Sequence, residues 1–436
     1  MFKKNNLLSI AISIAILPLP GLLEAQTLQN NLRTINYNQT EVIDVNFDGE
    51  VTSDNLYLQM NSAIATLNGK KDNTKLILHI PGGKHILSSR VINHTKGVIS
   101  LDQTVYGNRI FELQGSTNKH NPTKLYIDQS AYFEHTIFGN SPSNFTFSHL
   151  EFHRTGKTMS EGVITDVGKG YVDIKLLDGF PEIGSIYNDV IKGGRYLRLI
   201  TNDINNPEIS PIDQGQEPWG RDAHYKDGHY LPPLALDPPL NRNWRIFIAN
   251  PDKTLTSRGY KKGLWVAVKS KSYNYAYNFQ GMSTNITFDH VDFYDSTMGQ
   301  MHGGAKNITL KNVKFGRGDR VNGVVPAFAS SAGGPQFVGY EDGNKYENIL
   351  LDHVWLEYTG DDNFSAQAAS QGSSFKLDHV YSKGAFARLL LANHDAYGVC
   401  LTDSVVLNGQ PAVVHQAINK DIEHFEFKEM FSVCQD

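Results

Sequence analysis

A ten-residue pattern that recurs along the chain constrains its fold more than any other feature. Ser143-Asn144-Phe145-Thr146-Phe147-Ser148-His149-Leu150-Glu151-Phe152 superposes without gaps on the stretches that begin Thr284-Asn285-Ile286, Lys306-Asn307-Ile308 and Glu347-Asn348-Ile349. Weaker copies begin at Ser374 and Val399. Each copy carries two short runs of alternating apolar and polar residues, joined by a polar corner such as Asp289-His290 and followed by a Gly-bearing turn. That pattern predicts two strands and a bend. A unit this small cannot bury its apolar face alone, so the copies must stack on one another.

Spacing decides how they stack. Asn285 to Asn307 is 22 residues, Asn348 to Ser374 is 26 and Ser374 to Val399 is 25, one coil of a parallel β-helix per copy. Propeller blades need about 40–45 residues, so the shorter period disfavours them. The expected class is all-β, a right-handed parallel β-helix. Asn307 to Asn348 is 41 residues, room for two coils or for one coil with a long loop.

Three segments depart from the repeat. The 141 residues from Asn144 to Asn285 break the period. They open on a Glu161 to Leu176 hairpin with a Gly168-Lys169-Gly170 turn and close on the Gly263 to Lys269 strand, around a Pro-, Asn- and Gly-rich loop at 205–243. This predicts a small inserted antiparallel β-barrel-like domain over 156–270, between cap and first coils at 26–155 and main coils at 271–436. At the front, Leu56, Met60, Ala63, Ile64 and Leu67 form a helical stripe after Thr52 and Asp54, an N-terminal helix that would cover the open first coil. Residues 1–25 read as a secretory signal: Lys3-Lys4, an apolar run from Leu7 to Leu17, then Pro18, Pro20 and Ala25. A secreted or periplasmic protein follows, with no membrane attachment after signal removal. Export would permit a Cys400–Cys434 disulfide; two buried free thiols are the alternative.

Charge narrows the partners. The chain has 40 Lys+Arg against 45 Asp+Glu, so no basic excess exists to neutralise a nucleic acid. Neither cysteine has a nearby partner for zinc or redox work, and no motif requires a cofactor. The Asp-His pairs at 289–290, 352–353 and 378–379 recur at one corner of the repeat, which favours corner stacking over metal ligation.

The strongest chemical signal is Thr359-Gly360-Asp361-Asp362-Asn363-Phe364. The mutual repulsion of adjacent carboxylates costs stability unless a ligand, a metal or an acid/base role uses it, although Asp and Asn also simply favour turns. On the repeat register, Arg388 falls level with Asp362, and Asp319-Arg320 fall level with Gly360-Asp361. With one extra coil in the 41-residue interval, Asp319 would lie two rungs from the pair, roughly 9–10 Å at about 4.8 Å per rung. Inverting glycosidases separate their carboxyl groups by about 6.5–9.5 Å. Trp219, Tyr225, Tyr230 and Trp244 in the insert suit sugar stacking.

From about Thr155 to Gln371 the residues resemble glycoside hydrolase family 110, bacterial α-1,3-galactosidases that fold as a β-helix with a small inserted β-barrel. The resemblance rests on the Gly162 to Phe180 hairpin, Gly263-Leu264-Trp265-Val266, the Asn285 copy with Ser296-Thr297-Met298-Gly299, the Asn307 copy and Gly360-Asp361-Asp362-Asn363. It implies that Asp361 and Asp362 activate the attacking water. The family's general acid sits in an Asn-Ala-Asp-x-x-His pattern upstream of the pair. This chain has Ser331-Ala332-Gly333-Gly334-Pro335-Gln336 there, with Gly333 in place of the acid and Gln336 in place of the histidine. Asp319, Glu341 and Asp342 are the candidates for the missing acid. The expected function is a secreted glycoside hydrolase acting on a glycan or polysaccharide, with an α-galactosidic bond implied by the resemblance. The expected site comprises Asp361, Asp362 and Asp319 as catalytic groups and Arg320, Gln336, Arg388 and Trp219 as sugar contacts. A β-helix polysaccharide lyase, with Arg388, Arg320 or a lysine neutralising a uronate, and a non-catalytic carbohydrate-binding or adhesin-like protein are the alternatives.

Overall fold

The computed structural model describes residues 41–434 apart from 93–95, 132–133, 184–195, 209–224, 227–228, 231–233, 241, 248–258, 270–274, 297, 331, 339–344, 368–372, 387, 394–397, 409 and 412–430. The signal at 1–25 lies outside the described residues.

Each strong copy of the repeat is one bent strand. Ser143–Arg154, Ser283–Tyr294, Ala305–Gly316 and Tyr346–Glu357 are 12 residues each and pair in parallel, in that order, followed by Phe375–Lys383 and Val399–Leu401. Equivalent repeat positions meet across the ladders: Phe147 opposite Phe288, then Leu310, Leu351 and Leu377. All five are fully buried, so one apolar position repeated per coil becomes a continuous interior column. A second parallel sheet of short strands, from Gly97–Leu101 through Tyr277–Gln280, Gly299–His302, Pro335–Val338 and Ser365–Gln367 to Leu391–Asn393, closes the other side of the coil. The expected right-handed parallel β-helix is therefore the fold.

The corners explain the polar part of the pattern. Asn144, Asn285, Asn307 and Asn348 hold φ between 55° and 65°, the left-handed region that asparagine tolerates best among residues with a side chain. Their amides form a ladder: Asn285 Nδ2 donates to Asn144 Oδ1 at 2.7 Å, Asn307 to Asn285 at 2.8 Å and Asn348 to Asn307 at 2.9 Å. The second corner uses His149, His290, His353 and His379, also at positive φ. His149 stacks on His290 at 4.9 Å and His353 on His379 at 4.3 Å, and each of His290, His353 and His379 binds the aspartate before it. Replacing Asn307 by Ala should cost about 2–4 kcal/mol in urea unfolding, because two ladder bonds go and a Cβ without a stabilising amide stays in the left-handed region. Asn307→Gly should recover part of that loss, since glycine accepts the conformation. Equal stability of the Ala variant and the parent would remove the ladder from the account.

The 41-residue interval holds one coil. Ala305–Gly316 pairs directly with Tyr346–Glu357, and the extra residues form a loop over 317–334. Asp319 therefore belongs to the coil next to that of Asp361, and the two-rung spacing does not apply. The sequence could not separate these cases, because a loop without a copy of the repeat and a degenerate coil have the same length.

The long gap also spans one coil step, since Ser143–Arg154 pairs with Ser283–Tyr294. Between them an antiparallel sheet joins Tyr196–Ile200, Trp265–Lys269, Ser160–Gly168, Tyr171–Leu176, Asn243–Phe247 and Leu234–Ala235, with its own core that includes Ile164, Val172, Ile174 and Val266.

The helix Ser53–Asn68 is capped by Thr52, whose hydroxyl accepts from Asn55 N–H at 3.2 Å, and its stripe Leu56, Met60, Ala63, Ile64 and Leu67 is buried. It follows a first strand, Glu41–Asn46, that pairs in parallel with Thr74–His79. At the far end Cys400 and Cys434 form a disulfide with Cα atoms 4.9 Å apart, next to the parallel pairing of Val399–Leu401 with Phe431–Val433. Among the described residues no helix is long and apolar enough to cross a membrane.

Candidate functional site

The structure divides the expected site residues between two places. The first is the Gly-Asp-Asp-Asn turn. Asn363 is fully buried and organises it: Nδ2 donates to Leu356 O at 3.0 Å, Ser382 Oγ at 2.9 Å and Lys383 O at 3.0 Å, while Oδ1 accepts from Thr359 Oγ1 at 2.8 Å. Asp362 points inward. Its carboxylate meets Arg388 through Nε to Oδ1 at 2.6 Å and Nη2 to Oδ2 at 3.1 Å, with both side chains 5% exposed or less. Asp361 is half-buried at the apex. The adjacent carboxylates thus have different surroundings, and Arg388, expected as a sugar contact, is engaged by Asp362.

Gly333, the position the resemblance aligns with an acid, has no room for a side chain. Gly334 N–H donates to Asp362 O at 3.0 Å, so the 333–334 backbone lies directly on the aspartate turn. A Cβ at Gly333 would come within 2.5 Å of Asp362 O and of Gln336 Nε2, and one at Gly334 would overlap Asn363 O. Contacts that close exclude a side chain. Gln336 is itself buried, on Pro335–Val338, two residues from the turn's contact.

The second place is a cleft of about 740 Å³ between the coils and the inserted sheet. Its walls include Lys84, Tyr126 and Arg154 from the coils, Lys157, Phe180, Glu182 and Arg242 from the insert and its connections, and Asp319, Arg320 and Asn322 from the turn after Ala305–Gly316. Asp361, Asp362, Gln336 and Arg388 do not line it. A polar stack leads into it, Tyr294 on His153 at 4.7 Å and His153 on Tyr126 at 4.6 Å, because these residues take one ladder position in successive coils.

Asp319 is exposed in the cleft, and its Oδ2 accepts from Tyr126 O–H at 2.9 Å. Burial and then this bond push the Tyr126 phenol up to about 12, so it remains a donor at any neutral pH. Behind Asp319, Gly318 lies against the buried Asp295, whose Oδ1 is 2.7 Å from Lys157 Nζ. Burial raises the Asp295 pKa, the Lys157 ammonium opposes the rise, and the Asp319 charge adds to it. Deeper still, a small cavity shared by Lys157, Asp295 and Glu161 adjoins Phe328. Glu161 is fully buried and accepts from Ala327 N–H at 2.8 Å; burial pushes its carboxyl up to about 8.

Of the residues expected from the sequence, Asp319 and Arg320 line the cleft, together with Glu182, Lys84 and Arg242, which the sequence does not single out. These come from segments far apart in the chain, and no local pattern marks them. Trp219, Glu341 and Asp342 lie outside the described residues. Tyr225 and Tyr230 pair through their backbones in a short hairpin, and Trp244 packs against the core of the inserted sheet. Asp352, His353 and His379 place one ligand atom each within 4.8 Å of one another, but the imidazoles lie ring on ring, 6° from parallel, as corner stacking requires.

No protein-family model matches the chain, and no curated protein matches it. Solved structures share the fold at low identity. A structure described as a glycoside hydrolase is 8% identical with a TM-score of 0.38, the match covering 85% of this chain and 84% of that one. A hyperthermoactive exopolygalacturonase from Thermotoga maritima is 10% identical with a TM-score of 0.36, covering 88% and 77%. Jun a 1, the major allergen from cedar pollen, is 8% identical with a TM-score of 0.29; the match covers 86% of this chain and 66% of that one, just under two thirds of its length.

Proposed function

We propose that the protein is a glycoside hydrolase whose reaction centre is the cleft, with Asp319 and Glu182 flanking the scissile bond. The observation that carries this reading is that two carboxylates line one polar cleft from different elements, Asp319 from a coil turn and Glu182 from the connection after Tyr171–Leu176. Glycoside hydrolysis needs such a pair, one group to protonate the leaving oxygen and one to activate water or attack carbon. The bond from Tyr126 fixes the Asp319 carboxylate and leaves Oδ1 without a hydrogen bond among the described residues, facing a space large enough for sugar rings. An α-galactosidic target follows from the family resemblance alone.

A second reading is favoured by the half-buried position of Asp361 at the turn's apex, beside the clamped Asp362. In it Asp361 activates water at the turn, as the resemblance implies, and the acid comes from elsewhere.

Release of sugar from nitrophenyl glycosides and galactose-containing polysaccharides separates these readings. Asp319→Asn and Glu182→Gln should each slow release by about 10²–10⁴-fold, the usual contribution of an acid/base group, with unchanged unfolding midpoints. Loss confined to Asp361→Asn would move the centre to the turn. Unsaturated, ultraviolet-absorbing products would indicate a lyase, and glycan binding without any product a binding protein.

A further inference from the structure

We infer that the cleft takes an acidic glycan, one whose sugars carry carboxylate or sulfate groups, and holds its anionic substituents with Lys84, Arg242 and Arg320. The inference rests on the hydrolase reading for the cleft's role but not for its chemistry of recognition. Five cationic residues line the cleft against two acidic ones, in a chain whose formal net charge is −5. Several lysines elsewhere on the coils are paired across rungs, as in Lys306 with Glu347 at 3.0 Å and Lys314 with Glu357 at 3.2 Å. Within the cleft Lys157 is likewise committed to Asp295.

Lys84, Arg242 and Arg320 differ. Among the described residues none of them has a carboxylate within 4.0 Å. Arg242 Nη1 donates to Phe180 O at 2.9 Å and Nη2 donates to Leu177 O. Arg320 Nη1 donates to Gly323 O at 2.8 Å and to Asn205 Oδ1 at 3.2 Å. Lys84 Nζ stands 4.1 Å above the Tyr126 ring. Neutral acceptors and a ring face orient these cations without cancelling their charge. Like charges gathered in one cleft repel, and an anionic ligand relieves that repulsion. An oriented guanidinium also presents the fork that matches a carboxylate or a sulfate. A neutral glycan would leave all three cations unanswered.

Calorimetric titration of the full chain tests this with three ligands of equal length: oligogalacturonides, sulfated galacto-oligosaccharides and neutral galacto-oligosaccharides. At least one acidic ligand should bind about tenfold or more tightly than the neutral one in 50 mM salt, and 500 mM salt should erase most of that margin. The preferred acidic ligand identifies the group as carboxylate or sulfate. Lys84→Gln and Arg320→Gln should each weaken the acidic ligand about five- to twentyfold and leave the neutral one unchanged. Both side chains are exposed, so the fold should tolerate the changes. Equal binding of acidic and neutral ligands, no binding of either acidic ligand, or affinities indifferent to both substitutions would overturn the inference. Acidic binding that depends on these residues without turnover keeps the inference and defeats the hydrolase reading. Cleavage of a neutral glycan with no acidic binding does the reverse.

Discussion

Arg388→Met is expected to destabilise the protein by about 3–5 kcal/mol in urea unfolding, because it leaves the Asp362 carboxylate buried without its counter-ion. Arg388 and Asp362 share two hydrogen bonds and are both nearly inaccessible to water. Removing one partner therefore costs far more than breaking a surface pair, which is worth about 1 kcal/mol or less. Main-chain bonds tie the same turn to its neighbours, Asn363 N–H donating to Arg388 O at 2.8 Å and Gly334 N–H to Asp362 O at 3.0 Å. Asp362→Asn should also destabilise, by leaving the guanidinium buried. Combining Asp362→Asn with Arg388→Met should recover part of the sum, because no lone charge remains. The same variants test the role of the paired aspartates. A clamp lowers the unfolding midpoint whenever either partner is lost, whereas a water-activating Asp362 would lose activity at an unchanged midpoint. A cost under about 1 kcal/mol for Arg388→Met would show that the pair does not hold the turn.

That turn shows how far the sequence could be read. The coils were legible because their signals are local: apolar residues alternate within each strand, and Asn and His mark the corners where φ turns positive. The register followed, and with it the level placement of Arg388 and Asp362. What the register does not supply is the direction of side chains in a turn: it places Arg388 level with Asp362 but does not show that the two form a buried ion pair. Gly333 likewise read as a missing acid, and only the stacked turn shows that backbone contact leaves no room for one. The cleft was illegible for a different reason. Its residues arrive from the coils, from the insert and from the loop at 317–334, segments that only the folded chain brings to one place. Asp319 follows a copy of the repeat and could be placed on its register, whereas Glu182 has no repeat to be aligned on.

Glu161→Gln is expected to make the protein more stable at pH 8.5 and to change it little at pH 5. The folded carboxyl titrates at about 8 because burial penalises its charge, against an ordinary value near 4.5 in the unfolded chain. Between those values the folded state holds a proton that the unfolded state has released, so stability falls as pH rises through the window. Below about 4.5 both states are protonated and the penalty vanishes. At about 1.4 kcal/mol per unit, the loss across the window is on the order of 4–5 kcal/mol. Glutamine retains the oxygen that accepts from Ala327 N–H and carries no charge to bury. Asp295, in the same small cavity, is shifted in the same direction, so the variant should remove part of the slope and not all of it. The location gives the titration a consequence for the cleft. Glu161 lies on Ser160–Gly168 of the inserted sheet and Ala327 on the loop that also carries Asp319, so ionisation loads the joint between the two walls. Activity of the parent should accordingly decline above about pH 8 before global unfolding, and Glu161→Gln should extend the alkaline limb. Urea unfolding from pH 5 to 8.5 reads the stability difference directly; identical slopes for parent and variant would mean that Glu161 is ionised in the folded protein throughout that range.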